Sequence, residues 1–238
     1  MFGFLAFVSV LVIGSSAAFG VQHIYAQGLN DDCPALSELV ADSVPFSGLR
    51  HGQSIFGIRD GRVMSELEAN IPHIRVVSIE RHFPNRVTIN FVRRYERIGV
   101  AHGGRYYSVC SGLRVIGVSD ITPNLIMVRS KHISAPILGE QLIMLPHHRR
   151  VLQEFVLAIQ SFGYDQYGPN LIGYICLDTV GETWLQTHTG VRIRLIGYDD
   201  ITDKLRLGLS ILINTVSPID RTSGVIIINS ASLGGWTQ

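Results

Sequence analysis

Lysine is nearly missing from this chain: of its 20 basic side chains only Lys131 and Lys204 are lysines, and the rest are arginines. Those 20 face 19 acidic residues for a net charge of +1, and no region is basic enough to displace many counterions, which argues against a nucleic-acid binder. Cysteine is scarce too. Cys33, Cys110 and Cys176 form neither a CxxC pair nor a metal-ligand spacing, and an odd count leaves at least one thiol unpaired. They read as small buried hydrophobes, with a Cys110–Cys176 disulfide as the other reading. There is no GxSxG, no Walker loop and no dinucleotide fingerprint. Nine histidines include one adjacent pair, His147-His148, expected at a solvated helix start. On a helix the two would point about 100° apart, so they would not chelate one metal as i, i+4 histidines can. Asp199 and Asp200 are expected to cap a helix, and Glu66 and Glu68 to be solvated on different faces of another. No catalytic, cofactor-binding or metal-binding residue is assigned, no cofactor is expected, and the chain reads as not an enzyme.

What the chain does have is apolar length. With 238 residues, 46% of them hydrophobic, it can build one large domain or two small ones, each with its own core. Residues 1–21, MFGFLAFVSVLVIGSSAAFGV, contain no charged side chain. As a helix rising about 1.5 Å per residue they would span roughly 30 Å, one bilayer core. Phe2–Val21 is read as an uncleaved transmembrane anchor. A cleaved signal peptide, with Ser16 and Ala18 at the cleavage site, is the other reading, but it should carry a basic n-region and none is present. The first basic side chain of the Lys or Arg type after the span is Arg50, so the positive-inside rule gives no orientation.

Beyond the anchor, VQHIYAQGLN reads as a short strand ending in a turn at Gly28 and Asn30. DDCPALSELVADSV reads as a helix, with Asp31 and Asp32 at its positive end, Pro34 in its first turn and a core stripe of Leu36, Leu39, Val40 and Val44. A second helix begins near Asp60, with Val63, Met64, Leu67 and Ile71 as its stripe and Pro72 after its end. The pattern then alternates. Val77 and Ile79 are expected on one face of a strand, and Val87, Ile89 and Phe91 on one face of the next, with Phe83-Pro84-Asn85-Arg86 turning the chain between them. Strand, helix, helix, strand, strand makes a small sheet covered by two helices, a compact module without a pocket.

From Ile98 the texture is richer in strands. YYSVCSGLRVIGV reads as a hairpin and NLIMVRS as a short strand. PHHRRVLQEFVLAIQSFG reads as a helix with Gly163 at its end. LIGYICLD, TWLQTH and VRIRLIG read as three strands, and DDITDKLRLGLSILINTV as a helix with Ile201, Leu205, Leu209, Leu212 and Val216 at helical spacing. GVIIINSA is a last strand before a Gly-rich SLGGWTQ tail. Gly224–Ala231 is expected at a sheet edge, whose unpaired main-chain groups can template a partner's strand. A sheet-completing strand with a frayed tail is the other reading.

In order, these pieces resemble a family. The uncharged N-terminal run, IYAQGLN, GQSIFGI and IPHIRVVSIERHFPNRVTINFVRR are similar to the polypeptide-transport-associated (POTRA) domain of the bacterial cell-division proteins FtsQ and DivIB. The residues that carry the likeness are Gly28 and Asn30, Gly52 with Ile55 and Phe56, then Pro72, Ile74, Ile79, Arg81, Pro84, Asn85, Val87 and Ile89. GVRIRLIGYDDITDKLRLGLSIL, with Lys204-Leu205, resembles the β domain of that family. RRYERIGVA keeps Glu96-Arg97 but lacks the proline usual there.

The resemblance implies an α+β chain: an anchor at 1–21, a POTRA domain (β-α-α-β-β) at 22–97, a larger β domain with two helices at 98–230 and a tail at 231–238. It further implies a non-enzymatic divisome scaffold, single-pass in the cytoplasmic membrane at the division septum with its bulk outside. Its partners would be FtsB/DivIC-like and FtsL-like membrane division proteins, and it would help control septal peptidoglycan synthesis. Partner binding is assigned to Val225, Ile226, Ile227 and Ile228, with Trp236 and Trp184 as aromatic anchors. A POTRA docking module of a secretion or outer-membrane assembly system is the rival reading; it would normally show tandem POTRA repeats or a barrel, and neither is found.

Overall fold

The alternation centred on Phe83-Pro84 does form a hairpin, and the first half of the fold is built around it. The structure, a computed structural model, describes residues 19–29, 34–179, 181–217 and 220–237. It is a mixed α/β chain with few helices and one large sheet, and it divides between Arg94 and Tyr95 into two compact units.

The first unit contains β1 (His23–Gly28), α1 (Pro34–Ser43), α2 (Asp60–Asn70), β2 (Ile74–His82) and β3 (Arg86–Arg93). Its sheet has the order β1-β3-β2; β1 runs parallel to β3, and β2 and β3 are the antiparallel hairpin. Val87, Ile89 and Phe91 point inward from β3 and pack with Val40, Val44, Val63 and Leu67 of the helical layer. Strand β2 corrects the expected facing. A bulge shifts the register between Val76 and Ser78, so Ile74 and Val76 lie inside before it, Ile79 after it, and Val77 is exposed. One extra residue in a strand changes the phase of alternation, and a pattern read at strict period two misplaces the residue at the bulge. Leu39 is likewise outside the α1 stripe and exposed.

Two arginines tie the helical layer to the hairpin. Arg81 donates to the carbonyls of Ile55 and Ile58 and to Asp60 Oδ1, at 3.2, 3.1 and 2.5 Å. Arg94 donates to the carbonyls of Pro72 and Ile74 and to Glu68 Oε2. Glu68 is therefore not a solvated helix residue. Its other oxygen accepts the Val76 N–H beside the bulge at 2.9 Å, so it serves an amide that the irregular ladder leaves over.

Among the described residues no helix is long and apolar enough to cross a membrane. Residues 1–18 of the expected span lie outside the described residues, as do Asn30, Asp31, Asp32 and Cys33. The end of the span is corrected. Val21 is fully buried in the first unit's core, with its N–H on the Gln53 carbonyl and its own carbonyl accepting from Gly52, both at 2.8 Å. A residue held this way belongs to the folded unit.

The second unit contains β4 (Glu96–His102), β5 (Arg105–Cys110), β6 (Val115–Ser119), β7 (Ile126–Arg129), α3 (Pro146–Tyr167), β8 (Ile172–Cys176), β9 (Glu182–Thr187), β10 (Arg192–Ile196), α4 (Ile201–Ser210), β11 (Val225–Ser230) and β12 (Leu233–Thr237). Its nine strands lie in the order β12-β11-β10-β9-β8-β7-β4-β5-β6. β4 and β7, β7 and β8, and β10 and β11 are parallel pairs, and the two helices supply the crossovers for the last two. The α3 residues Val151, Leu152, Phe155, Val156 and Ile159 are buried, as are Ile201, Leu205, Leu209, Leu212 and Val216 along α4 and its continuation. Gly163 does leave the helical conformation, at φ 109°, but helix resumes beyond it to Tyr167. Cys110 and Cys176 are both free thiols.

Neither aspartate before α4 caps it with its side chain. Asp200 sits at the N-cap in the left-handed region with no such bond. Asp199 instead lies 3.4 Å from the amine of Lys204, which is buried and donates to the Ile196 carbonyl at 2.7 Å. A bond to its own backbone and the Lys204 charge hold the Asp199 carboxyl below its ordinary pKa.

Candidate partner-binding edge

Strand β11 is an interior strand. It pairs on one side with β10 and on the other with β12, a strand formed by the Gly-rich tail. The sheet edge therefore lies one strand further out than expected, at Leu233–Thr237. The correction has a local cause. The apolar run of Val225–Ile228 is wide enough to be covered from both sides, and residues 231–232 make a turn that folds the tail back antiparallel on it.

The two faces of this corner differ. Ile226 and Ile228 are fully buried against the core, and Trp236, directly opposite Ile226, packs on the same side. The indole lies so close to Gly224 that a Cβ there would overlap its Cη2 atom, so glycine is required at 224. Gly234, opposite Ile228, is less constrained: a Cβ there would meet Ile228 Cδ1, the end of a side chain that can move. On the other face Val225 and Ile227 are half-buried. Register places Cys176, Trp184, Arg194, Ile227 and Gly235 in one cross-strand row from β8 to β12. The adjacent row is Tyr174, Gln186, Arg192, Val225 and Thr237.

The assigned partner-binding residues are thus split. Trp184, Val225 and Ile227 share the outer face, whereas Ile226, Ile228 and Trp236 serve the core. Around Trp184 the outer face is ordered by charge: the Arg194 guanidinium stands 5.3 Å over the indole and also bonds the Glu182 carboxylate. That bond holds Glu182 below its ordinary pKa and Arg194 above its own. Arg129 stacks 4.0 Å from the Tyr174 ring centre in the same way. Arg192, Arg194 and Gly235 escaped the sequence reading, although the alternation of VRIRLIG with TWLQTH carries the signal for the two arginines.

The two edges of the large sheet are not alike. At the β6 edge, Val115 donates to the Glu140 carbonyl and accepts from Gly139, and Arg114 pairs with Gln141, so a loop covers the first part of the strand. At the opposite edge β12 has one neighbouring strand, β11, among the described residues. It carries no charge and no proline, its Leu233 is exposed, and a Cβ added at Gly235 would meet open space. Charges and proline are the usual means of blunting an edge, and β12 has neither.

The histidines also gather where the sequence did not place them. His148 is buried and not at a solvated helix start; its ring centre is 4.3 Å from that of His147 and 5.7 Å from that of His132, and His147 lies 5.1 Å from Tyr198. Burial, with the neighbouring His147 and His132, pushes the His148 pKa down, against a smaller opposing pull from Asp178. Among the described residues no group of three or more His, Cys, Asp or Glu side chains could hold a metal ion.

A family model for the FtsQ-type POTRA domain matches residues 46–93, the stretch from the loop after α1 through β3. No curated protein matches the chain.

Proposed function

Starting from a chain that is FtsQ/DivIB-like and carries a POTRA domain, we propose that it is a non-enzymatic divisome scaffold. Residues ahead of Phe19 anchor it in the cytoplasmic membrane, and the POTRA and β domains lie outside at the division septum. It binds small membrane division proteins of the FtsB/DivIC and FtsL type and through them helps to control septal peptidoglycan synthesis. The observation that carries this reading is the β12 edge: uncharged, proline-free and, among the described residues, paired on one side only. Main-chain pairing at such an edge supplies affinity, and side chains on the flanking face supply selectivity. Here that face offers Ile227, Arg194 and Trp184 in one row ending at Gly235.

Hydrogen exchange on the intact chain tests the mode of binding. Adding the FtsB/DivIC-type partner should slow alternate amides within 233–237 and leave the covered β6 edge unchanged. Proline variants at Leu233, Gly235 and Trp236 sharpen the result, because amides at neighbouring positions point to opposite sides of the strand. At least one variant should melt like the parent and lose capture of the partner. Partner binding with unchanged exchange across 233–237 would rule out strand addition at β12.

A further inference from the structure

We infer that the first unit carries a membrane-seated foot made of Phe19, Phe56 and Phe83, which enters the lipid interface beside the point where the chain meets the bilayer. The inference rests on the proposed anchoring of residues ahead of Phe19, and it adds a second attachment, made by the folded unit itself.

Three chain segments meet at one end of this unit. The Phe19 carbonyl accepts from Ile55 N–H at 2.9 Å, and Gly20 bridges to Ser54. Gln22 and His23 both donate to the Asn85 carbonyl, at 2.8 and 3.2 Å, and Asn85 Nδ2 donates to Gln22 Oε1 at 2.6 Å. These bonds bring one ring from each segment together. The ring centres are 5.7 Å apart for Phe19 and Phe56, 6.4 Å for Phe19 and Phe83, and 5.3 Å for Phe56 and Phe83. The cluster is not core: Phe56 is 67% exposed and Phe83 59%. Two phenylalanines exposed next to each other form one contiguous apolar patch on the surface of the unit.

Three observations make lipid the occupant. Residues 1–18 contain no charged side chain and, as a helix, would span roughly one hydrocarbon thickness. The described fold begins at Phe19, whose ring is itself a member of the cluster and whose backbone is bonded into the unit, so with the proposed anchor ahead of Phe19 the patch lies beside the membrane surface. Within the three segments the charge is of one sign. The segments 19–28, 50–57 and 81–87 contain no Asp or Glu, while Arg50, His51 and Arg86 are exposed in them. Nearby, Asp60 pairs with Arg81, and Glu80, half exposed, accepts from Asn90 and lies 3.6 Å from His82. Aromatic rings on segments that carry exposed cations and no acids suit the headgroup layer of an anionic bilayer, with the rings at the acyl boundary and the guanidinium groups on phosphates.

The test uses the full chain, one copy per nanodisc of anionic phospholipid, with Phe83→Trp as reporter and the parent as baseline for Trp184 and Trp236. The added emission should be quenched by lipids brominated near the carbonyl end of their chains and shielded from aqueous acrylamide. Phe56→Trp repeats the measurement if the first variant melts below the parent. A chain that resists carbonate extraction while the introduced indole is quenched by acrylamide and not by bromolipid would overturn the foot and leave the anchor standing. Extraction by carbonate together with a water-exposed reporter would overturn both. Shielding from both quenchers would mean that protein covers the rings, and would also overturn the inference.

Discussion

In the first unit the cations drawn out of water are arginines, and in the second the most deeply buried cation is a lysine. Arg81 and Arg94 each serve a carboxylate and two backbone carbonyls at once, which five donors in a planar fork allow. Lys204, 2% exposed, reaches one carbonyl and one carboxylate from a narrow site at the start of a helix, where a compact ammonium on a slim stem fits. Arginine serves to connect separate segments over loops and a bulge; lysine serves a single helix entry. The abundance of arginine around the hairpin is thus partly structural, and the framing of a surface falls to the arginines without such carbonyl partners.

The largest effect is expected at a core position of the first unit. Ile89 is fully buried between the sheet and the helices of the first unit, so Ile89→Asp should destabilise that unit by several kcal/mol through an unpaired buried charge. Because the two units have separate cores, calorimetry should show the second unit's transition unchanged. A joint shift of both transitions would mean that the units do not fold separately. A smaller effect is expected from Arg94→Ala. It removes charged bonds to Glu68 and two carbonyls at a site where both side chains are mostly buried, at 13% and 14% exposure, and should cost about 2–3 kcal/mol in urea unfolding. Arg94→Lys should recover only part of this, since one ammonium cannot span the same acceptors. Full recovery would remove the distinction between the two cations.

The smallest effect is one of pH, and it belongs to the second unit. The His148 pKa is lowered in the folded state by burial and by His147 and His132, with Asp178 pulling the other way. The unfolded chain then holds the proton more readily, near the ordinary value of about 6.5. Stability from this group is fully present above that value and is lost as pH falls through the lowered pKa. Between about pH 7.5 and 5.5, a window around that ordinary value, the urea midpoint of the second unit should therefore fall more than in His148→Phe. Equal slopes in the two proteins would show that His148 does not carry the effect.

Much of this molecule was written in local pattern. The helical stripes at Val63–Ile71 and Ile201–Val216, the inward face of Val87, Ile89 and Phe91, and the order of most elements, β4 and β12 apart, follow from apolar spacing, because burial of one face needs little beyond period and polarity. Where strands and charges meet residues distant in sequence, the pattern was silent. The bulge that turned Val77 outward depends on how β2 registers on β3 and on a Glu68 carboxylate ready to take the spare amide. The edge moved from Gly224–Ala231 to Leu233–Thr237 because pairing is a choice between segments, and a Gly-rich tail shows no periodicity until another strand supplies its partner. Trp184 was separated from Trp236 by facing alone: both are half-exposed indoles, and cross-strand register sends one outward with Arg194 and the other inward over Gly224. The sequence by itself determined most of the helices and strands, though not β4 or β12, and that one end is uncharged; tertiary structure decided which strand is last, which indole faces out and which rings meet beside Phe19, because those depend on contacts between residues far apart in the chain.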